Sequence, residues 1–187
     1  NIRINEDGTY SSQSGNFAAV EANEPGSVAK VFSIAAAINE GAVDTASSFS
    51  VPGSQVFDKD TQWEYKVTDA YPHGLEDMSV RKIFVDSSNI GTIQISRTLD
   101  TKKNHEYLKL FGFGTKTSVE YPGESRGSLR PVSKWQGTEK FSFSYGYGYT
   151  STALQLAAAV NVVANKGVYV APKMLLKSTD KDGITIS

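Results

Sequence analysis

Apolar residues recur at Val28, Val31, Phe32, Ala35 and Ile38, a spacing that lines one face of a helix. Glu24-Pro25-Gly26 precedes this run and Gly41 follows it, so the pattern predicts a helix over residues 27–40. Residues 1–16 are polar, rich in Gly, Ser and Asn, and read as loop or frayed end. Between 46 and 72 the period shortens. Phe49-Ser50-Val51 and Gln55-Val56-Phe57 flank Pro52-Gly53, and Trp63, Tyr65 and Val67 alternate with polar residues, which predicts short strands joined by turns. Glu76-Asp77 offers an N-terminal cap for a short helix through Val80, Ile83 and Phe84.

After Asn89 two periods compete. Thr92 to Ser96 alternates as a strand would, whereas Ile90, Ile93 and Arg97 share a helical face; helix is the preferred reading. His105 to Phe111 reads as a short helix with His105 near its start and Gly112 at its end. The glycine-rich stretch 112–148 reads as loop and turn with aromatic anchors, Phe113 among them, as Phe111 is just before it. Thr150 or Ser151 caps a helix from Thr152 to about Asn165, Gly167 supplies a C-terminal stop, and Val168-Tyr169-Val170 is a strand candidate before Pro172.

Composition narrows the function classes. The 187 residues carry 19 Lys and Arg against 20 Asp and Glu, so the basic excess of a nucleic-acid binder is missing and no nucleic-acid partner is expected. At 39% hydrophobic and 11% aromatic the chain can bury a core, as one domain or a large piece of one. The longest apolar stretch, Leu154 to Ala164, is broken by Gln155 and Asn161 and is too short to span a membrane; no signal peptide opens at Asn1. With no cysteine, disulfide scaffolds, Cys-ligated zinc and iron–sulfur clusters are excluded. His73, between Pro72 and Gly74, reads as a turn residue, and neither it nor His105 sits in metal-ligand spacing, so no metal is expected.

Candidate chemistry begins at Ser27-Val28-Ala29-Lys30, an S-x-x-K spacing at the start of the best-defined helix. Residues three apart share a helical face, so the lysine amine can reach the serine hydroxyl. Serine needs such a base to become a nucleophile, and lysine serves only if burial or nearby positive charge lowers its pKa. Free N–H groups at a helix start also favour charge developing on an attacked carbonyl. Taken alone, the spacing equally describes a capping serine and a solvated lysine. Ser87-Ser88-Asn89 adds an S-x-N arrangement: a hydroxyl able to pass a proton and an amide able to hold a peptide bond, or, more blandly, a polar turn between helices.

Together these motifs resemble those of the transpeptidase domain of class B penicillin-binding proteins, which cross-link peptidoglycan in septation or elongation. Glu24-Pro25-Gly26-Ser27 is similar to the family's E-P-G-S, with Asn16 opening an N-x-A-like lead-in, and Met78 to Arg81 is similar to the helix leading into S-x-N. Phe111-Gly112-Phe113-Gly114, Thr117, Tyr121-Pro122-Gly123-Glu124 and Gly127 resemble the F-G-F-G…T…P-G-E…G stretch. Tyr145-Gly146-Tyr147-Gly148, Thr152, Leu154-Gln155-Leu156-Ala157, Asn165-Lys166-Gly167 and Pro172 follow in family order, so the resemblance covers residues 16–175. It implies an α+β fold and a serine D,D-transpeptidase: Ser27 as nucleophile, Lys30 as general base, Ser87 as proton relay and Asn89 as substrate anchor. It further implies a stem peptide ending in D-Ala-D-Ala as substrate, β-lactams as inhibitors and no cofactor. A site outside the cytoplasmic membrane, an N-terminal tethering helix and division or elongation membrane proteins as partners are implied too.

The family's third motif, K-T-G or K-S-G on a strand beside the nucleophile, is not found. Lys116-Thr117-Ser118 and Lys177-Ser178-Thr179 lack its glycine. The simplest expectation is a partial domain over 1–187, lacking strands at both ends and therefore helix-rich, with residues 176–187 leading toward the third motif. Such a chain keeps nucleophile and base but lacks part of the cleft, and weak or absent turnover is expected, since one lost oxyanion donor alone costs about 10²–10³ in rate. The alternatives are a serine β-lactamase-like hydrolase, with Glu120 or Glu124 examined as its deacylation base, and a non-catalytic scaffold module.

Overall fold

A computed structural model describes residues 2–12 and 15–175. Helices dominate, and the strands pair two by two into small antiparallel ladders. β1 (Ile2–Ile4) and β2 (Tyr10–Ser12) form a hairpin where loop was expected. Its turn is built by local polar chemistry: Gly8 takes a positive φ of 80°, Asn5 N–H bonds the Thr9 carbonyl, and Asp7 accepts from Thr9.

α1 (Phe17–Val20) and β3 (Ala22–Asn23) lead into a 3₁₀ turn, Gly26–Ala29, which runs directly into α2 (Lys30–Asn39). The predicted helix is therefore present, but its burial differs from the predicted single face. Val28 and Ile38 are exposed, whereas Lys30, Phe32, Ser33, Ile34, Ala36 and Ala37 are buried. The reason is that α2 lies between two apolar clusters. One joins Ile34 and Ala37 to Val51, Phe57, Val67, Met78, Ile83, Ile90, Ile93 and Phe141. The other joins Ala29 and Phe32 to Leu108, Phe111, Phe113, Phe143, Tyr149 and Val162. Phe32 packs against Phe111 and Phe113 at centroid distances of 4.9 and 5.1 Å, so both are core anchors as expected.

The first cluster is roofed by β4 (Ser48–Val51), β5 (Ser54–Phe57), β6 (Tyr65–Thr68) and β7 (Glu76–Ser79), with β4 paired to β7 and β5 to β6. Glu76 and Asp77 thus lie in a strand rather than capping a helix. The cap of α3 (Val80–Val85) is Ser79, whose Oγ accepts from Lys82 N–H at 3.1 Å. α4 (Asn89–Ser96) settles the ambiguous segment as helix. Its near-complete burial, Ile90 to Ile93 and Ile95 to Ser96, explains why the periodicity was mixed. Gly91 fits because it has no side chain: a Cβ there would meet Ile83 Cγ1 at 2.6 Å. Gly91→Ala is expected to lower the unfolding free energy by about 1–3 kcal/mol through overpacking, read from a urea melt.

α5 (Thr101–Leu110) starts four residues before His105, capped by Asp100 Oδ1 on Lys103 N–H at 2.7 Å; His105 is inside the helix, its Nε2 on the Arg130 carbonyl. The segment 112–148 is mostly turn and loop, interrupted by 3₁₀ turns at Val132–Lys134 and Phe143–Tyr145 and by α6 (Glu139–Ser142). β8 (Ser151–Thr152) pairs with β3, and Thr152, one residue after Ser151 and two after Thr150, caps α7 (Ala153–Ala164) in a reciprocal box with Gln155. Past α7 the first left-handed residue is Lys166 (φ 55°), followed by Gly167 (φ 88°). Residues 168–170 form no strand, because no described strand runs beside them to supply ladder partners. No helix among the described residues is long and apolar enough to cross a membrane.

Candidate active site

Ser27 and Lys30 belong to one turn. The Lys30 backbone N–H donates to the Ser27 and Val28 carbonyls, which fixes their side chains on the same side of the helix start. Ser27 is exposed at the rim of a groove, whereas Lys30 is only 2% exposed, driven into the interior because α2 is packed on both sides. The Lys30 ammonium donates to the Ser87 carbonyl and, at 2.9 Å, to Ser87 Oγ. Burial pushes its pKa down to about 8, with the negative charge of Asp69 opposing the shift. An amine with such a pKa is partly neutral near physiological pH and able to take a proton.

Ser87 reaches Lys30 because the chain reverses there. Between α3 and α4 its backbone is left-handed, φ 55°, an uncommon state for a residue with a side chain. Ser88 then caps α4, accepting from Gly91 N–H at 2.9 Å, and Asn89 opens the helix with its amide donating to the Thr68 carbonyl at 3.2 Å. Ser27 and Asn89 line the same groove, of about 570 Å³, together with Glu24, Tyr65, Lys66, Tyr145 and Tyr147. The four residues singled out in the sequence thus fall into two pairs: Lys30 bonds Ser87, which lines a neighbouring cavity, and Ser27 and Asn89 face one groove.

The turn that carries Ser27 is clamped by the distant glycine segment. Gly26 N–H donates to the Gly146 carbonyl at 3.1 Å, and Gly148 N–H donates to Glu24 Oε1 at 2.9 Å. Gly146 has φ 96°, and a Cβ there would collide with the Gly26 carbonyl, so its backbone lies directly against the turn that carries Ser27. Behind it, Glu124 is buried and its Oε1 accepts from Thr117 N–H and Thr117 Oγ1, while Gln155 Nε2 donates to the Thr115 and Arg126 carbonyls. The P-G-E and L-Q-L-A positions thus organise the loop from 112 to 128. Lys116-Thr117-Ser118 lies in that loop, not on a strand, and Lys177-Ser178-Thr179 lies outside the described residues.

Two features escaped sequence reasoning. Asp69, just past β6, accepts from Ser88 Oγ (2.5 Å), Asn89 N–H (2.7 Å) and Ile90 N–H (3.0 Å), and His73 Nε2 lies 3.1 Å away. No spacing rule connects residue 69 to 88–90, and His73 was read only as a turn residue. Likewise the Tyr65 and Tyr145 hydroxyls meet at 3.0 Å across the groove from elements 80 residues apart. No group of His, Asp or Glu able to hold a metal occurs among the described residues.

A family model described as the penicillin binding protein transpeptidase domain matches residues 3–186. The chain belongs to this family. Among its relatives, the penicillin-binding protein PbpB of Mycolicibacterium smegmatis is 36% identical over 171 residues, which cover 91% of this chain and 26% of that protein. PbpB of Mycobacterium tuberculosis is 33% identical over the same length, covering 91% and 24%. The crystal structure of penicillin binding protein 3 from Mycobacterium tuberculosis, complexed with aztreonam, superposes with a TM-score of 0.86 at 32% identity, over 93% of this chain and 38% of that one. The transpeptidase-family chain therefore spans about a quarter of the length of the curated relatives it matches. Its mixture of helices and short strands is the architecture of those neighbours.

Proposed function

We propose that this chain carries the nucleophilic part of a serine D,D-transpeptidase site acting on peptidoglycan stem peptides that end in D-Ala-D-Ala. The observation that carries the reading is Lys30: a buried amine, one helical turn from Ser27, whose ammonium is held on the Ser87 hydroxyl at 2.9 Å. In its neutral form Lys30 accepts the Ser27 hydroxyl proton as Ser27 Oγ attacks the penultimate carbonyl. The tetrahedral adduct then collapses, the C–N bond to the terminal D-Ala breaks, and the proton held by Lys30 passes through the Ser87 hydroxyl to the departing amine. Asn89, facing the groove beside Ser27, holds the donor peptide. An amine from a second stem attacks the acyl-enzyme and gives a proton to neutral Lys30; as the C–O bond to Ser27 breaks, Lys30 passes that proton to Ser27 Oγ, which frees the cross-linked peptide and restores both residues. A β-lactam mimics the dipeptide, but its leaving nitrogen stays tethered after ring opening, so the acyl-enzyme persists. No cofactor is required by these steps.

On this reading the protein acts outside the cytoplasmic membrane, where peptidoglycan lies, and the family resemblance adds an N-terminal tethering helix and membrane proteins of division or elongation as partners. The hydrolase alternative needs a base for water near Ser27. Glu124 is buried on Thr117, Glu120 is not among the groove residues, and the two groove carboxylates, Glu24 and Glu139, are engaged by Gly148 N–H and by Arg130 with Gln136 N–H. These engagements favour the transpeptidase reading.

The test is intact mass after incubation with a fluorescent penicillin, on this chain and on a chain extended past Ser187, each beside Ser27→Ala. A stable single adduct that disappears in Ser27→Ala is expected. An adduct that turns over within minutes would favour the hydrolase, and no adduct on either chain would leave only the scaffold reading.

A further inference from the structure

The carboxylate of Asp69 is 5% exposed, yet it lies outside the Ser27–Lys30–Ser87 chain of contacts. Its oxygens are divided between two tasks. Oδ1 accepts the Asn89 and Ile90 amides, the first free donors of α4, while Oδ2 accepts from Ser88 Oγ and faces His73 Nε2. Every residue of the turn from Ser88 to Ile90 is thus pinned to one side chain carried by a different element. Ser87, the residue next to this anchored run, is the one held in the left-handed conformation that presents its carbonyl and hydroxyl to Lys30.

The second half of the argument concerns His73. Its Nε2 lies 3.1 Å from Asp69 Oδ2 and its Nδ1 2.8 Å from the Gly74 carbonyl, so both ring nitrogens face oxygen acceptors. A neutral imidazole has one N–H and can satisfy only one of them; the imidazolium satisfies both. The charged groups around it agree. Glu76 Oε1 is 4.0 Å from Nδ1, and across the adjoining cavity Lys82 is paired with both Glu76 (3.5 Å) and Asp86 (2.5 Å), leaving the negative charge in excess. Tyr71 is the other titratable group lining this cavity. The hydrogen bond to Asp69 raises the His73 pKa above its usual value.

We propose that Asp69 and His73 form a positioning pair for the acylation reaction, in which the His73 imidazolium locks the Asp69 carboxylate and Asp69 locks the Ser87–Asn89 turn against Lys30. This rests on the transpeptidase reading for its kinetic consequence, but not for its structural one. The test therefore has two readouts. Amide hydrogen exchange on the wild-type chain, Asp69→Asn and Ser88→Ala is expected to show the Asn89 and Ile90 amides protected in wild type, losing at least tenfold of that protection in Asp69→Asn and less in Ser88→Ala. Acylation by fluorescent penicillin, on whichever chain labels, is expected to be about 10-fold to 100-fold slower in Asp69→Asn above pH 8, where Lys30 is largely neutral with or without the Asp69 charge; at lower pH the deficit shrinks, because losing that charge lowers the Lys30 pKa further. His73→Gln is expected to be several-fold slower than wild type at pH 6, with the deficit shrinking as the pH rises and wild-type His73 loses its proton. Unchanged exchange at Asn89 and Ile90 in a folded Asp69→Asn overturns the pair, and a His73→Gln deficit that is independent of pH overturns the imidazolium lock. If wild type does not label at all, the transpeptidase reading fails while the exchange data still decide the anchoring.

Discussion

Lys30→Met should abolish penicillin acylation while leaving Ser27, the groove and both apolar clusters in place. General-base assistance is worth about 10²–10⁴ in rate, so the adduct should form at least hundreds of times more slowly. Lys30→Arg should fail equally, because a guanidinium stays protonated at any working pH. The wild-type rate should also follow the neutral fraction of Lys30. With a pKa near 8, about 1% of the amine is free at pH 6 and about half at pH 8, so acylation rises close to tenfold per unit and flattens above pH 8. The sign follows from the cause: burial disfavours the ammonium, so lowering the pH restores the proton and switches the base off. Second-order rates measured between pH 6 and 9.5 check this, and a flat profile would remove Lys30 from the role of base. The His73 effect is a several-fold correction to this larger trend.

Gly146→Ala should be the most damaging single-methyl change at the site. The methyl group would collide with the Gly26 carbonyl, and the residue would sit at φ 96°, where side chains are strained. Overpacking costs about 1–3 kcal/mol and a residue forced into a sparsely populated backbone region about 1–3 more, so a loss of roughly 2–6 kcal/mol is expected. The neighbouring backbone can relieve the clash only by pushing the Gly26–Ala29 turn outward, which displaces Ser27 from the groove. A denaturant melt together with penicillin labelling separates the two effects. Labelling at the wild-type rate in a folded Gly146→Ala would show that the clamp does not position the nucleophile.

What the sequence could reveal depended on whether partners were near in the chain. Ser27 and Lys30 were legible because one helical turn brings them together, and Phe111 and Phe113 because aromatic residues flanking glycines have few places to go but the core. Ser79 was missed as the α3 cap because strand β7 runs straight into the helix, so the acidic pair before it looked like the better candidate. The two-sided burial of α2 was not legible, since a helix wedged between two clusters has no single apolar stripe to read. Asp69 was invisible for a different reason. A carboxylate that caps a helix 20 residues away leaves no periodic trace, and only the assembled fold shows that the S-x-N turn has an anchor.

The pairing of Ala22–Asn23 with Ser151–Thr152, and the clamp of Gly146 and Gly148 on the nucleophile turn, carry a consequence for synthesis. About 120 residues must leave the ribosome after Ser27 before the segment that fixes it exists. Closing a loop of that length adds an entropic cost that local helix formation never meets, so α2 can form early while the serine beside it stays loosely held. A growing chain that has passed α5 but not β8 would carry the S-x-x-K sequence without the reactive geometry. Acylability is thus acquired late, only once the segment from Gly146 to Thr152 has docked against the turn that carries Ser27.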